Sequence, residues 1–296
     1  MRVAVTGKSG QVVTALIERG GAAGHDVVAL GRPEMDLSDP ASVARAFELA
    51  TPDVVVSAAA YTAVDKAESE PDMAYVVNGA GAGAVARAAK ALGVPMIHVS
   101  TDYVFDGMLD RPYVEADPTS PTGVYGASKL AGEEAVLSEH GDNVAILRVA
   151  WVYSPFGANF VKTMLRLAGG QDKVSIVADQ VGNPTNALDI ADGILLVAEN
   201  LLSSDDPDLR GVFHMTASGE ASWANFAKAI LAESAARGGP GANVRPISTA
   251  EYPTLATRPA NSRLNCAHIA KVHDVTLPDW RTSYGAVVAR LIQEGS

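Results

Sequence analysis

The strongest constraint on this chain lies in its first thirteen residues. A short apolar run, Val3-Ala4-Val5, passes directly into Thr6-Gly7-Lys8-Ser9-Gly10-Gln11-Val12-Val13, where a glycine-marked turn opens into a helical pattern. Strand, glycines and helix in that order predict a loop that cradles a dinucleotide pyrophosphate. Gly7 permits the tight turn, and Gly10 lets backbone N–H groups of the Gln11-Val12 turn reach a phosphate at the positive end of the helix. The third small residue usual in such loops is replaced by Val13, so the helix is expected to stand slightly off the sheet.

The rest of the first 150 residues repeats the same alternation. Apolar runs at Asp26–Leu30, Val54–Val56, Met96–Val99 and Val144–Leu147 are separated by Ala-rich stretches over Pro40–Ala50, Pro71–Leu92 and Gly126–Ser138. Strands apolar at every position are covered on both faces, which predicts an α/β doubly wound parallel sheet of the Rossmann kind. Residues 1–150 form its dinucleotide-binding domain. Residues 151–296 are expected to build a smaller substrate lobe, with a segment near 172–202 returning to the sheet. In that half, helices are expected at Ala158–Leu167, Asn186–Leu202 and Ser222–Ala236, and strands at Val174–Val177 and Gly211–Met215. The stretch around Gly238-Gly239-Pro240-Gly241, Tyr252-Pro253 and Arg258-Pro259 reads as loop.

Composition excludes several classes. With 23 Lys and Arg against 34 Asp and Glu, the net charge is −11, and no basic run suggests a nucleic-acid partner. The apolar runs are too short to span a membrane, and the start Met1-Arg2-Val3-Ala4-Val5 leaves no room for a signal peptide before the first strand. One cysteine, Cys266, rules out an intrachain disulfide and reads as a small buried hydrophobe in a reducing, cytoplasmic setting.

The second strand ends in Leu30-Gly31-Arg32 instead of an acid. An acid there would hold a ribose 2′-hydroxyl, whereas Arg32 can pair with a 2′-phosphate, so NADP(H) is preferred and NAD(H) remains possible. A solvated surface cation is the alternative for Arg32. Asp36 and Leu37 fall where the adenine edge would lie, and Ala58-Ala59-Ala60 at the third strand end would line the cofactor path. Tyr125 and Lys129 stand four residues apart, on one helical face. A phenol that passes a proton to oxygen, beside a cation that favours its phenolate, is the chemistry of ketone reduction. Thr101 closes the preceding strand and can bond the same oxygen.

Several longer segments share a pattern. They are Ala58-Ala59-Ala60-Tyr61-Thr62-Ala63-Val64-Asp65-Lys66-Ala67-Glu68, Ser100-Thr101-Asp102-Tyr103-Val104-Phe105-Asp106-Gly107, Tyr125-Gly126-Ala127-Ser128-Lys129-Leu130-Ala131-Gly132-Glu133, Trp151-Val152-Tyr153, Asp179–Thr185 and Arg258–Leu264. With the glycine loop, they make the chain similar to the extended short-chain dehydrogenase/reductases, and within them to the dTDP-4-dehydrorhamnose reductase (RmlD- or RfbD-like) family. The resemblance implies reduction by NAD(P)H of the C4 ketone of dTDP-4-dehydro-L-rhamnose, in nucleotide-sugar and lipopolysaccharide synthesis. It implies Thr101, Tyr125 and Lys129 as the catalytic trio and Thr62 beside the cofactor. Asp102, Tyr103, Trp151, Asn159, Gln180, Thr185 and Arg258 are implied around the dTDP-sugar. Trp151 also reads as core packing, and Arg258 has the fork geometry for a diphosphate.

Some relatives are Mg-bridged dimers that use an acid early in the first helix. Here Thr14 and Ala15 stand there, Glu18 follows a turn later, and Asp189 and Asp192 lie three apart on a helix. The expectation is therefore no metal, and a monomer or weak homodimer. Other activities remain open: a different 4-ketoreductase, an epimerase, or a non-catalytic subunit resembling the methionine adenosyltransferase β subunit.

Overall fold

Successive side chains of a strand point to opposite faces, so a strand apolar at every position has to be covered twice. In the computed structural model, which describes residues 1–294, this is what β1 (Arg2–Thr6), β2 (Asp26–Leu30), β3 (Val54–Ser57), β4 (Met96–Thr101) and β5 (Val144–Val149) do. Between them run α1 (Gln11–Ala22), α2 (Pro40–Ala50), α3 (Val64–Ala67), α4 (Pro71–Tyr75), α5 (Gly81–Leu92) and α6 (Val124–His140). Val3, Val5, Val54, Val56 and Ile97 face one core, and Ala4, Val55, Met96 and Ile146 face the other.

Beyond β5 come β6 (Val152–Tyr153), α7 (Phe160–Ala168), β7 (Lys173–Val177), β8 (Val181–Gly182), β9 (Thr185–Asn186) and α8 (Ala187–Ser203). Then follow β10 (Gly211–His214), β11 (Ala221–Ser222), α9 (Trp223–Ala236), β12 (Asn243–Ile247), β13 (Asn261–Ser262), α10 (Ala267–His273) and α11 (Trp280–Glu294). The central sheet has the order β10-β5-β4-β3-β1-β2, with every pair parallel. Strand order reverses between β1 and β3, which fixes the ligand crevice above the C-terminal strand ends there.

The expected return of residues 172–202 to this sheet needs correction. Its strand, β7, pairs with β12 in a separate two-stranded sheet of the lobe. The elements that come back are α8, whose Ile190, Ile194 and Ala198 join the core under β1 and β3, and β10, which adds the edge strand beside β5. The stretch read as loop also holds two strands, β12 and β13, and a third small sheet has the order β11-β8-β13. The lobe has its own core around Tyr153, Met164, Phe226, Ile230 and Trp280.

Helix α1 does not stand off as a whole. Val13 is buried, and its Cγ2 lies 3.2 Å from where a Cβ on Gly7 would sit, so the glycine makes room for the larger residue. One helix length further on, a Cβ on Gly20 would lie 2.4 Å from Val27 Cγ2, which is where helix and sheet approach most closely. The neighbouring Gly21 has nothing within 4 Å of that position. Adjacent glycines therefore respond oppositely to alanine. Gly20→Ala drives a methyl into a stiff β-branched side chain and is expected to cost about 1–3 kcal/mol, whereas Gly21→Ala gains up to about 1 kcal/mol, both read from urea unfolding.

Candidate active site

The phosphate loop has the geometry its glycines imply. Gly7 adopts φ +102° and its N–H donates to the Leu30 carbonyl at 2.6 Å. Helices α2, α7, α8 and α9 are capped by the side chains of Asp39, Asn159, Asn186 and Ser222, but α1 begins at Gly10 with no side-chain cap. Its first N–H groups are thus open to a phosphate. Buried Thr6 accepts hydrogen bonds from the N–H groups of Ala58 and Ala59 at 3.0 and 2.9 Å, tying Ala58-Ala59-Ala60 to the loop. Arg32 is exposed at the end of β2, and Lys8 pairs nearby with Glu34. Leu37 packs against Gly81, and Thr62 is exposed on the rim.

Two residues expected beside the cofactor make side-chain bonds within the protein. The Gln11 amide accepts from the Ser154 hydroxyl at 2.7 Å and donates to the Val152 carbonyl, bridging α1 to the lobe. The Asp36 carboxylate accepts from both the N–H and the hydroxyl of Ser38, closing a turn. Val12 is half-buried at the first turn of α1, where its backbone is the part free to act.

Thr101, Tyr125 and Lys129, the residues expected to be catalytic, share the junction of β4 and α6. Thr101 ends β4, and its hydroxyl is hydrogen-bonded to the Tyr125 phenol at the start of α6. Burial raises Tyr125 above its ordinary value, the Thr101 bond opposes that rise, and Asp102 and Tyr103 add to it. Lys129, one turn along, points its ammonium at the Val99 carbonyl at 2.7 Å and at His98 Nε2 at 3.5 Å. Burial brings Lys129 down to about 8, with the Glu133 carboxylate opposing. The expected depression of the tyrosine by the lysine is therefore absent here, because the ammonium is held on the strand carbonyl. His98 is held well below its ordinary value by burial and then by Lys129, so it faces the ammonium as a neutral ring.

Helix α6 is seated by backbone contact at two glycines. A Cβ on Gly126 would lie 2.2 Å from the Tyr103 carbonyl oxygen, and one on Gly132 would lie 2.2 Å from that of Asn78. Between α4 and α5 the chain forms a π-turn, Val76–Ala80, instead of the continuous helix expected over Pro71–Leu92. The buried Asn78 on it donates to the Ser128 hydroxyl at 2.9 Å and to the Tyr61 carbonyl, and accepts the Tyr61 N–H at 2.7 Å. It thereby clamps the alanine loop to the catalytic helix. Glu68 accepts the Val124 N–H at 2.8 Å and so caps α6 from outside.

Beneath the trio lies a buried ion pair. Glu133 of α6 takes a bidentate bond from Arg148 of β5 at 3.0 and 2.7 Å, accepts the Ser100 hydroxyl of β4, and both charges are almost wholly buried. The guanidinium also lies 5.0 Å from the centroid of the Phe105 ring.

On the lobe side, a cavity of about 470 Å³ is lined by Phe160, Gln180, Trp223, Tyr252, Thr254 and Arg258, among others. Arg258 donates to Asp65 Oδ2 at 2.8 Å and to the Tyr103 hydroxyl at 3.2 Å, spanning the two halves of the molecule. Asp102 is buried behind Thr101, whose hydroxyl donates to its Oδ1 at 3.0 Å. Trp151 adopts φ +47°, a left-handed conformation that costs a bulky residue about 1–3 kcal/mol, and its partly buried indole stacks on Trp223 at 3.5 Å and 5°. Two expected sugar contacts do not face the cavity. The Asn159 amide is consumed in capping α7 and in bonds to the Ser154 and Phe156 carbonyls. Thr185 is fully buried, donating to the Asn183 carbonyl and accepting from the Ala217 N–H. The acids weighed as metal ligands are also taken: Asp192 by Arg19, Glu18 by Arg290 and Asp189 by the Ser283 hydroxyl.

Both the sequence and the fold have counterparts among known proteins. A family model described as the RmlD substrate binding domain matches residues 1–293. The chain belongs to the RmlD substrate binding domain family. A dTDP-4-dehydrorhamnose reductase of Sinorhizobium fredii is 51% identical over 295 residues, covering 100% of this chain and 99% of that protein. A solved dTDP-4-dehydrorhamnose reductase of Clostridium acetobutylicum matches with TM-score 0.90 and 34% identity, covering 99% of this chain and 100% of that one. That of Bacillus anthracis, solved in complex with NADP, matches with TM-score 0.88 and 35% identity over 99% of both chains.

In this RmlD-family chain, sequence reasoning overlooked Thr6, Asn78, His98, Glu133, Arg148 and Trp223. Arg148 did carry a signal, being the one charge in an otherwise apolar strand, and Asn78 was the polar interruption of an Ala-rich helix.

Two measurements follow. Glu133→Gln leaves Arg148 buried without a carboxylate and is expected to cost about 3–5 kcal/mol in urea unfolding, much of it recovered in a Glu133→Leu/Arg148→Met double variant. Burial raises Asp102 from 3.8 to about 6, so the folded state holds a proton that the unfolded state releases between those values. Stability from this group therefore falls as pH rises through that window. Asp102→Asn should exceed the parent by about 2–3 kcal/mol at pH 8 and match it below about pH 4.

Proposed function

We propose that this chain is a dTDP-4-dehydrorhamnose reductase that uses NADP(H) in preference to NAD(H). The observation that carries the reading is the convergence of Thr101, Tyr125 and Lys129 at the strand ends beside an uncapped helix N-terminus, within a chain that matches such reductases over its whole length.

The residues present fit the cofactor. Gly7 in its left-handed conformation and the free N–H groups of α1 suit a pyrophosphate, Ala58–Ala60 leave a path without bulk, and Arg32 at the end of β2 suits a 2′-phosphate. When bound, the reduced nicotinamide supplies the hydride that reaches C4. Tyr125 gives its phenolic proton to the former ketone oxygen, and Thr101, whose hydroxyl hydrogen is held by Asp102 Oδ1, positions the phenol. Lys129, charged below about pH 8, would favour that phenolate and would help hold the nicotinamide ribose. Arg258, at the cavity, supplies the charge for a diphosphate, while Gln180 and the aromatic walls of the cavity suit the nucleoside. Tyr103, whose hydroxyl meets Arg258, and Trp151 face the sugar between them.

The test is NADPH consumption with dTDP-4-dehydro-L-rhamnose, with the product identified by NMR. Tyr125→Phe is expected to lower kcat by about 10²–10⁴-fold. Activity should decline above about pH 8 as Lys129 loses its proton, and Lys129→Arg should move that decline to higher pH. Unchanged turnover in Tyr125→Phe would overturn the assignment.

A further inference from the structure

We propose that Trp223 is a positioning residue for this reaction, holding the Trp151 indole in place as the platform on which the sugar ring sits. The inference rests on the function proposed above and adds a residue outside the catalytic trio.

Trp151 follows β5 by two positions, and in the sheet Val149 of β5 lies opposite Thr101 of β4. The indole therefore hangs from the strand end next to the catalytic threonine. Its left-handed backbone is one that a bulky residue leaves unless its surroundings enforce it. Three contacts do so. Trp223 stacks in parallel on one side at 3.5 Å. Gly182 of β8 closes another side so tightly that a Cβ there would lie 2.5 Å from Trp151 Cε2. The Trp151 carbonyl accepts the Thr185 N–H at 3.1 Å.

Simple core packing does not account for the pair. Both residues are only partly buried, at the edges of two different core clusters, and Trp223 lines the cavity that also holds Gln180 and Arg258. Trp223 is itself fixed, as the first residue of α9 behind the Ser222 cap and against the Phe160 ring at 4.5 Å. The indole pair thus spans from the catalytic strand ends to the nucleotide side, and a sugar joined to a diphosphate on Arg258 has to cross it to reach Tyr125. A flat, rigid apolar wall at that point sets how deep the ring sits and which face it presents.

Two variants disturb the platform from different sides. Trp223→Ala removes the stacking partner, and Gly182→Ala pushes the indole off its seat. Each is expected to alter the near-ultraviolet circular dichroism of the stacked indoles. Each should also lower kcat/KM for the dTDP-4-keto sugar about thirtyfold while leaving KM for NADPH within about twofold. Trp223→Phe, which keeps a stacking ring, should recover most of the loss. If Trp223→Ala does not fold, Gly182→Ala and Trp223→Phe carry the test. A changed dichroism band with sugar kinetics within about twofold of the parent overturns the inference, as does an equal loss in Trp223→Phe. An unmodified chain inactive on the sugar overturns the function itself, an outcome separable from a failure confined to the variants.

Discussion

The bond between Glu133 and Arg148 is the constraint on which the rest of the active site depends. Taking two charges out of water is expensive, and an apolar pair of similar volume would serve stability as well or better. What an apolar pair cannot do is fix direction. Glu133 is on the catalytic helix, Arg148 on β5, and the Ser100 hydroxyl that completes the carboxylate's bonds is on β4, one residue before Thr101. Three elements are thereby locked in rotation as well as in distance, which is what a phenol and a threonine sharing one oxygen require. The glycines at 126 and 132 act with it, since they let α6 descend until backbone meets backbone.

The Thr62–Glu68 motif gains a physical explanation from the same geometry. Its Asp65 reaches the lobe through Arg258 and the Ala256 N–H, and its Glu68 caps the catalytic helix. A short segment thus joins α6 to the lobe, while Asn78 on its π-turn joins α6 to the loop after β3. π-Turns recur at functional sites because they redirect one side chain without ending a helix.

The fold was legible because its signals are periodic: apolar runs, glycine turns and Ala-rich helices each carry their own pattern. Tyr125, Lys129 and Thr101 were legible for a different reason, namely their order along a chain whose fold was already apparent. The lobe was harder to read. Strands of two residues, such as β8 and β13, have no period, and β12 contains Pro246 among exposed residues. Asn159 and Thr185 illustrate the limit at single residues. A polar side chain in a loop near a site serves a ligand or its own backbone, and only the hydrogen bonds distinguish the two. Trp223 escaped notice because its role comes from a partner 72 positions away, to which it is joined only by stacking.

The three-stranded sheet of the lobe draws one strand each from Val181–Gly182, Ala221–Ser222 and Asn261–Ser262. It brings the seat of Trp151, the start of the Trp223 helix and the Ser262 hydroxyl behind Asp102 into one small patch. The links that finish the site are among the longest in the chain, with Asp65 and Arg258 separated by 193 positions and Tyr103 and Arg258 by 155. Closing such loops costs entropy before any contact repays it. The phosphate loop can form from neighbouring strand–helix units soon after they are synthesised, but the sugar-facing surface has to wait for the residues around 260. Order of assembly therefore separates the two halves of the reaction: the half shared with many dinucleotide-binding folds matures early, and the half that gives this chain its own substrate matures last.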